Sequence, residues 1–176
     1  MEDSGDIIEL ARVMPRDRFV RRVTNLLLVV SEVGADGQQI AFRTVAASPA
    51  AHRKPPPPPG PASEVFEIVK AKGNPYPDQI SVGRTRNCDV VLRNPSVSKL
   101  HAHFRLDAQG QLVIIDNGSQ NGTRVNGKLL TESEPHAVAV GDVIQFGRLT
   151  TSLLDASRLF DMVREQARVA RDQANR

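Results

Sequence analysis

The sequence predicts an all-β sandwich with α-helical N- and C-terminal flanks. Between residues 64 and 154, short runs of Val, Ile and Leu are separated at close intervals by Gly, Asn, Asp and Pro, a pattern typical of a sandwich or barrel. Asn126-Gly127 predicts a two-residue hairpin, because a type I′ turn needs positive φ at both positions. The core is expected to be aliphatic, since aromatic residues make up 4% of the chain and Trp is absent.

The strands expected in this segment are short and end at turn-forming residues. No long helical pattern lies between them, which favours a sandwich or barrel. The predicted strands are 65–69, 80–82, 90–92, 102–106, 112–115, 123–125, 128–130, 143–146 and 150–154.

Residues 1–54 are interpreted as an N-terminal extension with short helices and a possible hairpin. The helical spacing of apolar residues over 7–13 predicts one helix, and Pro15 suits the first turn of a second helix that carries Phe19 and Val23. The run Leu26–Val30 could finish that second helix or begin a strand. Residues 34–37 predict a turn and residues 40–45 a strand.

Residues 55–63 are interpreted as a Pro-rich linker between this extension and the sandwich at 64–154. Five consecutive prolines followed by Gly60 and Pro61 cannot join a helix or a central strand. An extended polyproline II spacer is expected, and a ligand for an SH3-type domain is the alternative.

Residues 155–176 predict a C-terminal helix that Asp155 or Ser157 can cap and that runs through Arg171. Its apolar stripe indicates packing against the rest of the chain, with a dimerisation helix as the alternative, and a monomer is expected in preference to a stable dimer. The stripe comprises Leu159, Phe160, Val163, Ala167 and Ala170.

Composition narrows the function classes. A net charge of +3 and a pI near 9.4 do not by themselves indicate nucleic acid, although they suit a partner with local negative charge. The single Cys88 excludes an intrachain disulfide and a multi-cysteine zinc site, and no residues show metal-ligand spacing. The acidic N-terminus does not resemble a signal peptide, and no apolar run is long enough to span a membrane. A cytoplasmic protein without metal or cofactor is expected.

Three sequence islands within the sandwich carry polar residues suited to binding. The first is Gly83-Arg84, the second is Ser96-Val97-Ser98-Lys99-Leu100-His101, and the third runs over residues 116–123 and continues to Asn126-Gly127. Phosphate offers only acceptors, so it needs fixed donors. Arg84 supplies a planar donor fork, Ser98 a hydroxyl and Lys99 a point charge, while the Asn121 amide can pair with a peptide backbone.

These islands resemble the forkhead-associated (FHA) domain family in order and spacing. The resemblance implies an FHA-type β-sandwich without catalytic activity, whose loops at one end bind a phosphothreonine-containing segment. By resemblance, Arg84, Ser98 and Lys99 match phosphate-contacting positions, Asn121 holds the peptide main chain, and Gln120 adds a contact. Gln120 departs from the Thr or Arg often found there. The residues expected to shape the loops are Gly83, His101 and Gly122.

The function expected from these residues is an adaptor module in Ser/Thr kinase signalling, whose partner is a phosphothreonine-containing protein, such as a kinase or its substrate. Thr24 and Thr44 make binding to the chain itself conceivable. The alternative is a structural assembly module that needs no phosphate. The intact set of Arg84, Ser98 and Asn121 favours phosphothreonine binding.

The sequence argues against two kinds of enzyme. Residues 122–128 fit the opening of a P-loop, but Leu129 stands where the Mg²⁺-binding Ser or Thr is required, and the segment is typical of strand, turn and strand. Ser98 and His101 lack the G-x-S-x-G context of a hydrolase nucleophile. The sequence therefore predicts a binding module and not an enzyme.

Overall fold

The computed structural model describes residues 4–30 and 64–174. Their strands form a six-stranded sheet in the order β2-β1-β11-β10-β7-β8 and a five-stranded sheet in the order β4-β3-β5-β6-β9. This confirms the sandwich with helical flanks. The elements are α1 (Ser4–Val13), α2 (Arg16–Arg22), β1 (Leu27–Val30), β2 (Val65–Glu67), β3 (Ile80–Gly83), β4 (Val90–Val91), β5 (Ala102–Leu106), β6 (Leu112–Asp116), β7 (Thr123–Val125), β8 (Lys128–Leu129), β9 (His136–Ala137), β10 (Val143–Phe146), β11 (Leu149–Leu154) and α3 (Ala156–Ala174).

The space between the two sheets is filled mainly by aliphatic side chains. Strand β10 shows this alternation, since Ile144 and Phe146 are fully buried while Val143 and Gln145 are partly exposed, as a period of two requires. Phe104 on β5 and Ile114 on β6 meet them from the facing sheet. Asn126 and Gly127 have φ values of 51° and 84°, which confirms the predicted turn between β7 and β8.

The helices cover the outer face of the six-stranded sheet at β2, β1 and β11. Strand β1 is buried on both sides, because Leu28 lies in the sandwich core while Leu27 and Val29 lie in a second apolar cluster beneath the helices. In that cluster the rings of Phe19 and Phe160 lie 5.6 Å apart between their centroids. The helical flanks therefore belong to the same folded unit as the sandwich.

The predicted boundary between an N-terminal extension at 1–54 and a sandwich at 64–154 differs from the structure. The run Leu26–Val30, left open between helix and strand, supplies β1, which pairs with both β2 and β11 in the six-stranded sheet. The Val30 N–H donates to the Glu64 carbonyl oxygen over 2.8 Å, so the chain leaves and re-enters the sheet at neighbouring points. The hairpin expected at 34–45 and the Pro-rich linker at 55–63 lie outside the described residues.

Helix α3 begins after Asp155, whose carboxylate accepts the Arg158 N–H over 2.7 Å, as a cap does. It packs against α1 and α2 of the same chain through its first turns, where the predicted stripe is buried. Ala167 and Ala170 are exposed, so their place in the stripe was wrong. The 19-residue α3 is longer than the 10-residue α1 and the 7-residue α2 on which it lies. Within residues 4–30 and 64–174, no helix combines the length and apolar character needed to cross a bilayer.

Candidate functional site

Four loops meet at one end of the sandwich and bring the predicted site residues together. They are the β3–β4 loop, the β4–β5 loop, the β6–β7 loop and the turn between β10 and β11. The Arg84 N–H donates to the Ser98 carbonyl oxygen over 3.0 Å, and the Gln120 N–H donates to Ser98 Oγ over 3.0 Å. These bonds place Arg84, Ser98 and Gln120 side by side, with Lys99 and Asn121 next to them in sequence.

Gly83 lets β3 approach the Ser98 loop closely enough to bring Arg84 into the site. A Cβ atom at this position would lie 2.3 Å from the Lys99 carbonyl oxygen, well inside van der Waals contact. The same oxygen accepts hydrogen bonds from Thr85 Oγ1 at 2.8 Å and from Cys88 Sγ at 3.2 Å. The backbone of Lys99 is therefore fixed while its side chain remains exposed.

His101 is a buried support beneath Ser98. Its Nδ1 accepts the Ser98 N–H over 3.0 Å, which leaves Nε2 to donate to the Gly122 carbonyl oxygen at 3.3 Å. The ring also stands edge-on to Phe146, with 5.7 Å between centroids. The prediction that His101 hydrogen-bonds loop backbone is thus confirmed. Because Ser98 Oγ already accepts the Gln120 N–H, its hydroxyl proton is available to donate outwards.

Asn121 is held by a residue that the sequence interpretation did not single out. Its Nδ2 donates to the Ser96 carbonyl oxygen over 2.8 Å, so its Oδ1 remains available to accept a hydrogen bond. Ser96 in turn is fixed by Asn94, whose Oδ1 accepts the Ser96 N–H over 2.9 Å. Ser96 lies two residues before Ser98 in the second island, and that proximity was the only sequence signal for its role.

The β6–β7 loop is organised by the buried carboxylate of Asp116, also missed as an individual residue. Asp116 accepts the Ser119 N–H over 2.8 Å and the hydroxyl groups of Ser119 and Thr123. Burial alone would raise the pKa of Asp116, but the hydrogen bonds from Thr123 and Ser119 lower it below its ordinary value. Gly122 closes the loop with a φ of 74°, a conformation that side chains disfavour.

The surface at these loops is cationic. Arg84, Arg86, Lys99 and Arg148 are exposed, and in the described part of the chain no carboxylate forms an ion pair with them.

Thr24, one of the two threonines considered for binding by the chain's own site, precedes β1 at the end where Leu27 pairs with Leu154. That end lies the length of β11, about 17 Å, from the loops. Thr44 lies outside the described residues.

The segment that carries these loops matches known proteins. Residues 80–147, which contain every predicted site residue, match the family model described as the FHA domain. This match identifies residues 80–147 as an FHA domain. It is 36% identical over 74 residues to the DNA damage response protein kinase DUN1 of Saccharomyces cerevisiae, covering 39% of this chain and 14% of that protein. It is 35% identical over 81 residues to the glycogen accumulation regulator GarA of Mycolicibacterium smegmatis, covering 46% and 49%. The chain therefore spans less than half the length of either relative.

Solved FHA domains overlay on the chain with TM-scores below one half. The FHA domain of the CT664 protein from Chlamydia trachomatis gives 0.48 at 21% identity, over 75% of this chain and 98% of that one. The yeast Dun1 FHA domain, solved in complex with a doubly phosphorylated peptide derived from Rad53, gives 0.47 at 24% identity, over 77% of each chain. The family assignment rests on the sequence match over residues 80–147.

Supporting and contacting residues of the FHA domain are expected to respond differently to substitution. His101→Ala leaves the Ser98 N–H without an acceptor and opens a cavity, so it should lower the free energy of unfolding by about 1–3 kcal/mol and weaken the phosphopeptide binding that the sequence predicts. Asn121→Ala removes an exposed side chain, so it should weaken binding about fivefold with little change in melting temperature. Thermal scans and titrations of both variants check this. The opposite ordering of melting temperatures would show that the two roles are reversed.

His101 should also make the stability of the FHA domain depend on pH. Burial lowers the pKa of His101 below its ordinary value, with a smaller opposing effect of Asp116. As the pH falls below about 6.5, the unfolded chain binds a proton at this residue more readily than the folded one. The stabilisation is thus complete above that pH and is lost progressively below it. Denaturant unfolding at pH 7.5 and 5.5 measures the loss.

His101→Asn is the control for this pH dependence, since an amide oxygen can accept the Ser98 N–H but does not titrate in this range. We expect the variant to be less stable at both pH values and to show a smaller difference between them than the wild type. If the variant shows the same difference in stability between the two pH values as the wild type, other groups cause the pH dependence.

Proposed function

We propose that the FHA domain binds phosphothreonine-containing protein segments and serves as an adaptor in Ser/Thr kinase signalling. The observation that carries the proposal is the convergence of donors at the loop end. Arg84 is tied by its backbone to Ser98, whose hydroxyl proton is left free by the Gln120 N–H, and Lys99 follows directly. A phosphorylated side chain bears about −1.5 to −2 charges and accepts hydrogen bonds only, so this set complements it.

The Asn121 amide supports recognition of a peptide main chain beside the phosphate. Its Nδ2 donates to the Ser96 carbonyl oxygen, which fixes the amide and leaves Oδ1 to accept a hydrogen bond. An extended segment lying across the loops would present backbone N–H groups to that acceptor. Arg84 and Ser98 would then select the phosphorylated residue, while Asn121 fixes the orientation of the segment that carries it.

The family match supports the same function. The protein partner is proposed to be a Ser/Thr kinase or a kinase substrate. In support, the related segment of DUN1 is part of a protein kinase. A role in recognition without catalysis, and a cytoplasmic location, complete the proposal. The single cysteine is consistent with such a location, since Cys88 is buried and unpaired.

A pull-down from phosphothreonine peptide libraries tests the function, with unphosphorylated and phosphoserine libraries as controls. We expect retention of phosphothreonine peptides, weaker retention of phosphoserine peptides and none of unphosphorylated ones. Equal retention of phosphorylated and unphosphorylated peptides would favour the alternative, a structural assembly module that needs no phosphate.

A further inference from the structure

Three Asn-Gly pairs lie in the turns and loops of the sandwich, and each is chemically prone to lose the asparagine side-chain amide. They are Asn117-Gly118, Asn121-Gly122 and Asn126-Gly127. Glycine has no Cβ, so the preceding side chain can reach its backbone nitrogen. For the reaction to occur, the asparagine side chain must leave its hydrogen bonds and turn towards that nitrogen. The hydrogen bonds of the three side chains therefore decide which pair reacts first.

Asn126 is held on both sides of its amide. Its Nδ2 donates to the Asp142 carboxylate over 3.0 Å, and its Oδ1 accepts the Val143 N–H over 3.0 Å. Its backbone N–H also donates to the Val143 carbonyl oxygen over 2.8 Å. Rotation of this side chain breaks two hydrogen bonds at once and takes a donor away from the buried Asp142 carboxylate. Asn126 is therefore protected against deamidation.

Asn117 is held by one side-chain contact and by partial burial. Its Oδ1 lies 2.8 Å from Nδ1 of His103, a residue that is only 9% exposed. Its backbone N–H donates to the His101 carbonyl oxygen over 3.0 Å. Displacement of the Asn117 side chain would leave a polar atom of the His103 ring without its partner in a place that water barely reaches. Asn117 is therefore less protected than Asn126 but still restrained.

Asn121 is the least restrained of the three. In the part of the chain that the structure describes, its exposed side chain makes one hydrogen bond, from Nδ2 to the Ser96 carbonyl oxygen at 2.8 Å. One exposed hydrogen bond between neutral groups is weak in water, so thermal motion opens it frequently. The contacts that His101 and Gly147 make with Gly122 both end on its carbonyl oxygen, beyond the nitrogen that follows Asn121. The Asn121 side chain and this nitrogen are thus free to meet.

We propose that Asn121 is a site of spontaneous deamidation, and that its products no longer support phosphopeptide binding. The Gly122 backbone nitrogen loses its proton and attacks Asn121 Cγ. A new C–N bond forms, the Cγ–Nδ2 bond breaks, and Nδ2 takes up a proton and leaves as ammonia. Water then opens the cyclic imide at one of its two carbonyl carbons, which gives aspartate or isoaspartate. Only the part of the proposal that concerns binding rests on the proposed function.

Both products alter the loop at the point where it would hold a peptide. An aspartate carboxylate cannot donate to the Ser96 carbonyl oxygen, and it places a negative charge beside the position proposed for the phosphate. Isoaspartate adds a methylene group to the main chain just before Gly122. Since His101 and Gly147 hold the Gly122 carbonyl oxygen, the loop cannot keep its present path. No step restores the amide, so the binding capacity of the protein should fall with age.

Peptide mapping of the aged protein tests the site. The full chain is incubated at mildly alkaline pH, where the glycine nitrogen loses its proton more readily. Mass spectrometry follows the conversion of amide to acid at each of the three pairs, and an isoaspartyl methyltransferase assay counts the isoaspartate. The matched control is the same protein in urea, in which the hydrogen bonds of the fold are absent.

In the folded chain we expect Asn121 to convert about fivefold faster than Asn126 or more, which corresponds to about 1 kcal/mol for one further hydrogen bond. The rate at Asn117 should lie between them. In urea the three pairs should convert at similar rates, because all three are Asn-Gly. Equal rates in the folded protein, or faster conversion at Asn117 or Asn126 than at Asn121, would overturn the assignment of the site.

Substitution by aspartate tests the consequence for binding. Asn121→Asp is titrated with a phosphothreonine peptide beside Asn121→Ala, which removes the amide without adding charge. Gln109→Glu is the control, since it adds the same charge at an exposed turn residue between β5 and β6. We expect Asn121→Asp to bind about threefold more weakly than Asn121→Ala, with a smaller difference at high salt. Gln109→Glu should stay within about twofold of wild type.

Circular dichroism establishes that the variants are folded. Wild-type affinity in folded Asn121→Asp would overturn the inference that deamidation ends binding, whereas the affinity of Asn121→Ala would attribute the loss to the missing donor alone and still support it. Failure of the freshly purified wild type to bind every phosphothreonine peptide would reject the proposed function and the loss of binding with it. The conversion rates are measured without a ligand, so peptide mapping alone decides whether Asn121 is the reactive residue.

Discussion

Arg84→Ala is expected to weaken phosphopeptide binding about tenfold to a hundredfold while leaving the fold intact. Each charge-assisted hydrogen bond contributes about 1.5–3 kcal/mol, and the guanidinium offers several donors to a phosphate. The side chain is exposed, and the bond from the Arg84 N–H to the Ser98 carbonyl oxygen does not involve it. Alanine therefore removes the phosphate contact without disturbing the loop. Calorimetric titration with a phosphothreonine peptide measures the loss.

Arg105→Ala is the matched control for this experiment, since Arg105 is also exposed but lies on β5, outside the loops. It should change affinity less than twofold, through long-range electrostatics alone. Wild-type affinity in a folded Arg84→Ala protein would remove Arg84 from the site. Equal losses of affinity in the two variants would show that Arg84 contributes only through the net charge of the protein.

Removal of residues 1–63 is expected to prevent folding. The deletion takes away β1, which lies between β2 and β11 and is buried along its whole length. It also takes away α1 and α2, which cover the outer face of the sheet together with α3. The shortened chain would expose Leu154 and Leu159 and leave the edge of β11 unpaired. Circular dichroism and thermal scans report the outcome.

A single substitution also tests whether β1 is needed for the stability of the sandwich. Leu28→Ala removes a fully buried side chain from the core between the sheets, and should lower the free energy of unfolding by about 2–5 kcal/mol. Leu106→Ala is the control, since Leu106 is 63% exposed and should change stability by less than about 0.5 kcal/mol. A cooperative transition of wild-type midpoint in the shortened chain, or in Leu28→Ala, would show that β1 is an accessory to the sandwich.

The strands that the sequence predicted correctly are those bounded by local signals. Turn residues such as Asn126 and Gly127 mark their ends, and alternation marks their buried faces. Strand β1 could not be assigned in this way, because a short apolar run is compatible with a helix or a strand. The segment is a strand because it pairs with β11, as between Leu27 and Leu154. No pattern within residues 26–30 indicates a partner so distant in sequence.

The Pro-rich segment shows why composition misplaced the domain boundary. Composition indicates where regular structure is interrupted, but an interruption between two domains and one between paired strands give the same signal. Here β1 and β2 lie on either side of residues 31–63 and pair with each other. In the same way, helical spacing assigned Ala167 and Ala170 to the face of Leu159, but spacing does not indicate where the packing partner ends.

The candidate site was predictable to the extent that its residues fall into compact motifs. Arg84, Ser98 and Asn121 stand within such motifs, and the structure brings them together. Ser96 and Arg148 were not identified, because their roles arise from a contact between residues that are 52 positions apart. An isolated arginine after a glycine has no sequence pattern that distinguishes it from a solvated surface residue.

Titration of the isotopically labelled protein with a phosphothreonine peptide, followed by NMR, tests the central claim most directly. We expect saturable shifts of the backbone amides of Arg84, Ser98, Lys99, Gln120 and Asn121, and almost none for α1 and α3 at the other side of the six-stranded sheet. The unphosphorylated peptide should produce no saturable shifts. Equal shifts with both peptides, or shifts confined to the helices, would contradict phosphothreonine recognition at these loops.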